Sequence, residues 1–376
     1  MFVHKVLKYY YLLVIFLFII PVQKIYSTDP DPDGKPLNII LLIGDGMGYP
    51  QITAVEYLYG PLRMTEMTVK GMISTYSANR LVTDSAAGAT ALASGYKTNN
   101  SMLGILPDST AVQSIAQYAS ELGKSTALVV SCSITHATPA AFVVNHHSRS
   151  DEFLIAEMYV QAGINMLMGA GWKYFLPKKE GGERRDERNL ISEMKKLGYH
   201  YIDHERNLGE VKGRDKVIVF LDGEELAQAP FRGDQMKLLT EAALSQLSQN
   251  KKGFFVMIEG AQIDWAGHDH DFTWLMHEMI DFDTLVGAAL DFAEKEGNTL
   301  VIVTSDHETG GLTLPAGRAG NRENFRHEFS TGGHTAAHVP VFAYGPSAEL
   351  FTGSYDNTDV ARKMFYLWGK EIEDLE

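Results

Sequence analysis

Four short runs in the chain are apolar from end to end, and each is followed by polar residues. They are Asn38 to Gly44 (NIILLIG), Ser125 to Ser131 (STALVVS), Phe254 to Ile258 (FFVMI) and Thr299 to Thr304 (TLVIVT), with Val339 to Tyr344 (VPVFAY) a fifth of the same kind. Such runs lack the alternation of a half-exposed strand and are too short for a buried helix, so they predict strands covered on both faces. Helical patterns lie between them. From Asp108 to Leu122, Val112, Ile115, Ala116, Ala119 and Leu122 fall on one face behind an Asp108/Ser109 N-cap signal. The alternation predicts an α/β fold: a mostly parallel central β-sheet flanked by helices on both faces, with functional residues at the carboxyl ends of the strands.

Length leaves the domain count open, because 376 residues would accommodate two or three domains of roughly 150 residues or one large α/β domain. The pattern predicts one catalytic domain over residues 38–376, with an insertion at about 172–235. Within that insertion Lys178 to Arg188 (KKEGGERRDER) lacks apolar periodicity and reads as a solvated loop. Before the domain, Lys5 and Lys8 precede an apolar run from Tyr9 to Val22, and Ser27 and Thr28 follow. This predicts a signal peptide over residues 1–27 and a polar linker over 28–37, hence an exported protein, periplasmic or extracellular, with no membrane contact after cleavage. An uncleaved anchor is the competing reading, although the run is shorter than the roughly 20 residues a spanning helix needs. A formal net charge of −14 argues against nucleic acid as a dedicated partner. A single cysteine, Cys132, excludes an intramolecular disulfide and a thiolate-rich zinc cluster, so metals would need histidine and carboxylate ligands.

The polar residues after the strands are such ligands. Asp45 follows the first run, Thr138 stands a few residues after the second, Glu259 follows the third and Asp306-His307 the fourth. One of these alone would be a cap or a satisfied core histidine; four together point to one centre. Asp264 and His268, four apart in IDWAGH, share a face if that segment is helical and could grip one cation. His334 in STGGHTAAH could supply a third ligand, with His338 competing for the role. Ser85 opens the alanine-rich stretch SAAGATA. At a helix N-terminus its oxygen and a bound phosphate would both be favoured by the dipole and free N–H groups, but Ser85 could equally be only an N-cap.

Six ordered motifs then carry a resemblance: GDGMG (Gly44 to Gly48), TDSAAGATA (Thr83 to Ala91), THATPA (Thr135 to Ala140), EGAQIDWAGH (Glu259 to His268), TSDHETGG (Thr304 to Gly311) and STGGH (Ser330 to His334). Together they resemble the bacterial alkaline phosphatases. The resemblance implies that Ser85 is the nucleophile, that one zinc is held by Asp264, His268 and His334, and a second by Asp45, Ser85, Asp306 and His307. It implies a third, all-oxygen site of Asp45, Thr138 and Glu259 that suits Mg²⁺. Arg149 matches the family's phosphate-binding arginine, with Asp84 beside the nucleophile placed to orient it. His136 and Trp265 occupy positions where some bacterial members carry an aspartate and a lysine, which opens the third site to Zn²⁺ as well. Only 26 residues separate His307 from His334, so the crown insertion of some relatives must be reduced. The substrates implied are small phosphate monoesters, and the assembly a homodimer.

The chemistry is consistent with these assignments. Serine is a weak nucleophile at neutral pH, and no GxSxG elbow surrounds Ser85, which leaves metal coordination as the means of activating it. Two metals about 4 Å apart clamp both ends of an in-line displacement, and two successive displacements retain configuration at phosphorus. Four site carboxylates would repel a phosphate dianion until three divalent cations reverse the sign. The competing functions are a phosphodiesterase on the same platform and a non-catalytic exported metal- or phosphate-binding protein.

Overall fold

The computed structural model describes residues 34–372; the apolar run after Lys8 and most of the 28–37 linker lie outside them. Fourteen strands follow in order: β1 (Asn38–Gly44), β2 (Val69–Ser74), β3 (Ser125–Ser133), β4 (Met166–Ala170), β5 (His200–Ile202), β6 (Val217–Phe220), β7 (Phe254–Gly260), β8 (Thr299–Thr304), β9 (Glu308–Thr309), β10 (Leu312–Arg318), β11 (Asn321–Phe329), β12 (His334–Thr335), β13 (Val339–Tyr344) and β14 (Gly353–Asp356). Ten of them form one sheet in the order β14-β2-β13-β8-β1-β7-β3-β4-β6-β5. Every neighbouring pair is parallel except those made by β13, which runs antiparallel to both β8 and β2.

Side chains of a strand alternate between faces, and β1 shows both faces covered. Ile39, Leu41 and Ile43 join a core under the helices Ser85–Ser94, Ile115–Glu121 and Thr358–Leu367, while Ile40 and Leu42 join the opposite core with Tyr49–Tyr59, Gln235–Leu247 and Phe272–Glu296. All five are fully buried, each stabilising the fold by about 1.5–3 kcal/mol. Among the described residues no helix is long and apolar enough to cross a membrane.

Two local expectations need correction. The helix expected from Asp108 begins only at Ile115, capped by Ser114, whose hydroxyl accepts from the Gln117 N–H. The upstream segment turns instead: Asp108 accepts from the Thr110 N–H and Ser109 has a φ of 78°, outside the helical region. Nor is Lys178 to Arg188 uniformly solvated. Arg184 is only 2% exposed, and its guanidinium donates to Asp186, to Glu157 and to the carbonyls of Phe153 and Tyr174. A charge run read one-dimensionally hides a side chain that turns inward.

Segment 172–235 supplies the sheet edge β5 and β6. Its end is tied to the long helix by Arg232, which reaches Glu278 at 2.5 Å and Asp281 at 2.6 Å; the Arg232 and Glu278 side chains are each 1% exposed. Removing one partner of a buried pair leaves the other charge uncompensated, so Arg232→Ala is expected to cost about 3–5 kcal/mol. Urea unfolding measures it; a loss below about 1 kcal/mol would show that Glu278 is satisfied by Trp274 and the Ala229 N–H, its other donors.

Candidate active site and metal centre

Strand register brings the site residues to one edge of the sheet. Ile43 pairs with Glu259 on one side and Thr304 on the other, so Asp45, Glu259 and Asp306 leave their strands at nearly the same level. Gly46 turns the chain away from β1 with a φ of 79°, and a Cβ there would lie 2.7 Å from the Asp264 Cα. Only glycine allows that approach. Asp45, Thr138, Glu259, Asp306 and His307 are all fully buried, and Asp264 nearly so.

Asp264 and His268 sit on the helix Gln262–His268. His268 Nε2 lies 3.3 Å from one Asp264 oxygen, His334 Nε2 3.5 Å from the other, and the two Nε2 atoms are 3.1 Å apart. Each Nδ1 faces a carbonyl, Gly332 O at 2.7 Å for His268 and Thr83 O at 2.9 Å for His334. A carbonyl only accepts, so the proton of the neutral ring is held on Nδ1 and the Nε2 lone pair turns inward, the usual arrangement of a ligating imidazole. The Asp264 hydrogen bond raises His268 to about 9, against the burial that opposes it. This pocket favours positive charge. His338 is exposed, and His334 is the ring that faces Asp264.

His307 Nε2 stands 3.5 Å from Asp45 Oδ1, 3.2 Å from Asp306 Oδ2 and 3.3 Å from the Ser85 hydroxyl. Thr138 donates to Asp45 at 3.5 Å. Burial, with the neighbouring carboxylates, pushes Asp45 well above its ordinary range, Asp306 to about 7 and Glu259 to about 8. Among the described residues Asp45 Oδ1, Asp306 Oδ2 and Glu259 Oε1 are buried without a hydrogen-bond partner. Buried carboxylate oxygens are rarely left so unless an ion satisfies them, and a mixed imidazole and carboxylate donor set suits divalent cations.

Ser85 is not the N-cap of its helix. Asp84 takes that position and accepts from the Ala87 N–H, which leaves the Ser85 hydroxyl, at the first helical residue, free to face His307. Gly88, one turn on, lets the helix pack against Asp306, whose Cβ would be 3.1 Å from an added Cβ. The other Asp84 oxygen accepts from the Ser101 N–H and from Arg149 Nη1 at 3.4 Å. Arg149 Nη2 also donates to His136 Nε2 at 3.3 Å, and the His136 ring meets Trp265 edge-on at 5.9 Å. Burial, then the Arg149 charge, lowers His136 to about 3, so it stays neutral.

Sequence reasoning missed Glu308 and Thr309. Glu308, 2% exposed, accepts from Gln51, from Thr335 and from the Gly311 and Leu312 N–H groups. It thereby ties the loop carrying His334 to the helix after β1. The Thr309 hydroxyl donates to Asp264. The one available signal was contiguity with Asp306-His307. The 26 residues between His307 and His334 hold the two-stranded hairpin β10–β11.

A serine hydroxyl at a helix N-terminus, facing buried carboxylates and imidazoles at the carboxyl edge of a parallel sheet, defines a metal-binding hydrolase. The chain belongs to the alkaline phosphatase family, whose sequence model it matches over residues 37–327 and 316–369. It is 34% identical to alkaline phosphatase 3 of Bacillus subtilis, over 87% of this chain and 88% of that protein, and 30% identical to the Escherichia coli alkaline phosphatase, over 87% and 85%. Its fold is similar to that of the alkaline phosphatase from the Antarctic bacterium TAB5, with a TM-score of 0.83, 38% identity, and coverage of 89% of this chain and 98% of that one. Its activity is the hydrolysis of phosphate monoesters.

Proposed function

We propose that Ser85 attacks the phosphorus of the monoester and carries the phosphoryl group as a phosphoserine, in a centre holding two Zn²⁺ and a third cation. The observation that carries this is the Ser85 hydroxyl 3.3 Å from His307 Nε2, beside the unpartnered oxygens of Asp45 and Asp306. Asp264, His268 and His334 would hold one zinc, and Asp45, Asp306, His307 and Ser85 the other. Asp45, Thr138 and Glu259 would contribute to the third position; a variant of the TAB5 enzyme with aspartate in place of a histidine has Mg bound. When bound, the cations supply Lewis acidity and offset the charge that develops in an in-line displacement. Ser85, at the start of its helix, presents its oxygen where the N-terminal dipole favours negative charge. Asp84 keeps Arg149 aimed at the same face while capping that helix. Export, supported by Lys5, Lys8 and the apolar run after them, and a homodimeric assembly, supported by the resemblance, complete the reading.

Arg149 would set the preference for monoesters over diesters. A guanidinium binds two non-bridging oxygens of a transferring phosphoryl group in a bidentate fork. A diester has only two such oxygens, and one of them must face the cations, so half of the fork is lost. Arg149→Ser is expected to slow monoester hydrolysis by about 10- to 1000-fold, as charge-assisted bonds of about 1.5–3 kcal/mol each are removed. Diester hydrolysis should fall much less. The measurement is the ratio of kcat/KM for a matched monoester and diester at fixed zinc; an unchanged ratio would remove this role from Arg149 and favour a phosphodiesterase.

A further inference from the structure

Gly48 of GDGMG and Gly311 of TSDHETGG take no part in holding a cation, and they meet at one carboxylate. Gly48 packs so closely on Glu308 that an added Cβ would overlap the Glu308 Cγ, and Gly311 turns with a φ of 56°. Glu308 Oε1 accepts from Gln51 Nε2 at 2.9 Å and from the Leu312 N–H at 3.2 Å. Its Oε2 accepts from the Gly311 N–H at 3.2 Å and from the Thr335 hydroxyl. All of these donors are neutral. Gln51, fully buried, also donates to the Thr309 carbonyl at 3.0 Å and accepts from the Gly48 N–H at 3.1 Å. A buried carboxylate therefore joins the segments after β1 and β8 to β12, the strand that begins with His334.

His334 is the metal-site residue that the main sheet supports least. Its strand pairs with β9 only through His334 with Thr309 and Thr335 with Glu308, a ladder too short to be stable alone. Its loop is partly or fully exposed from Thr331 to His338, whereas Asp45, Asp306 and His307 are fully buried. Thr335 follows His334 directly, so its bond to Glu308 fixes the backbone from which the ring projects. We propose that Glu308 is the positioning residue for His334: it holds the loop ready through Thr335 and so sets the zinc affinity of the pocket formed by Asp264, His268 and His334. The inference rests on the assignment of one zinc to those three residues and adds what keeps them in place. A loop ordered in advance loses less freedom on binding, and partners standing behind metal ligands are worth about 10- to 100-fold in affinity. A carboxylate is needed because each oxygen faces a backbone N–H. In Glu308→Gln the amide NH₂ would point at one of them.

The test measures zinc binding to the full chain by competition with a chromogenic chelator, with His334→Ala marking which ion belongs to this pocket. Glu308→Gln and Thr335→Val are each expected to weaken that ion by about 10- to 100-fold and to leave the affinity of the other zinc at the wild-type value. Thr335→Ser keeps the hydroxyl and should bind both ions like the wild type. Because the two side chains act through one bond, the double variant Glu308→Gln/Thr335→Val should lose less than the product of the single losses. A residue that only supported the fold would weaken both ions together and lower the urea midpoint. Equal weakening of both ions, unchanged affinity in Thr335→Val, or a loss in Thr335→Ser as large as that in Thr335→Val would each overturn the proposal. The threonine variants decide it even where Glu308→Gln does not fold. A His334→Ala chain that keeps both zinc ions at wild-type affinity would instead overturn the assignment of His334 beneath it.

Discussion

Ser85→Ala is expected to lower monoester turnover by on the order of 10³-fold or more, a barrier increase of about 4 kcal/mol. The substitution removes the attacking oxygen and leaves nearly everything else. Asp84 still caps the helix through the Ala87 N–H, alanine is the best helix former, and the pocket is already 98% closed to solvent at this residue. Asp264, His268 and His334 do not touch Ser85 in their own cluster, so metal binding there should persist. Residual turnover would come from direct attack by water. Steady-state kinetics with metal counting checks both halves, and near-normal turnover in a metal-loaded variant would exclude Ser85 as the nucleophile.

Chelation is expected to abolish turnover and to lower the unfolding temperature, with Zn²⁺ plus Mg²⁺ restoring both. A ligand that binds only the native state stabilises it by about 4 kcal/mol per site at a concentration 1,000 times its Kd. The stripped protein must also hold Asp45, Glu259 and Asp306 together without a cation. Their behaviour gives the pH sign. Burial raises Glu259 from 4.5 to about 8 and Asp306 from 3.8 to about 7. At these two carboxyl groups the folded state therefore binds protons more tightly than the unfolded chain, so their contribution to stability is fully present below about 4 and is lost as pH rises through about 8. Thermal unfolding of the chelated protein should show that decline, and the metal-loaded protein should not, because the cations hold the carboxylates ionised throughout. Equal pH profiles for the two forms, or full activity in verified absence of zinc, would contradict the account.

The parts of this site that sequence exposes are those with a one-dimensional signature. Asp45 and Asp306 are legible because a strand buried on both faces has no polar residue until it ends, and the loops after parallel strands share one edge. Asp264 and His268 are legible through the helical repeat. The contact of the Cys132 thiol with Glu259 was not, because it exists only once β3 and β7 are paired in register. Arg184 and Glu308 were hidden for the same reason: a charge in a polar stretch gives no sign of which neighbours it will turn toward. The antiparallel direction of β13 is likewise a property of the chain path around it, not of VPVFAY. The late start of the Ile115–Glu121 helix came from competing local chemistry, an Asp108 turn that satisfies the backbone before a helix can.

Where the phosphoryl group rests between the two displacements tests the account most directly. The metal-loaded enzyme would be quenched during turnover of a labelled monoester at mildly acidic pH, where a phosphoserine on a slowed enzyme accumulates, and then digested and sequenced by mass spectrometry. One labelled peptide is expected, with the phosphate on Ser85 and no label in Ser85→Ala. A label on another residue, or a wild-type enzyme that turns over under these conditions without ever becoming labelled, would contradict it.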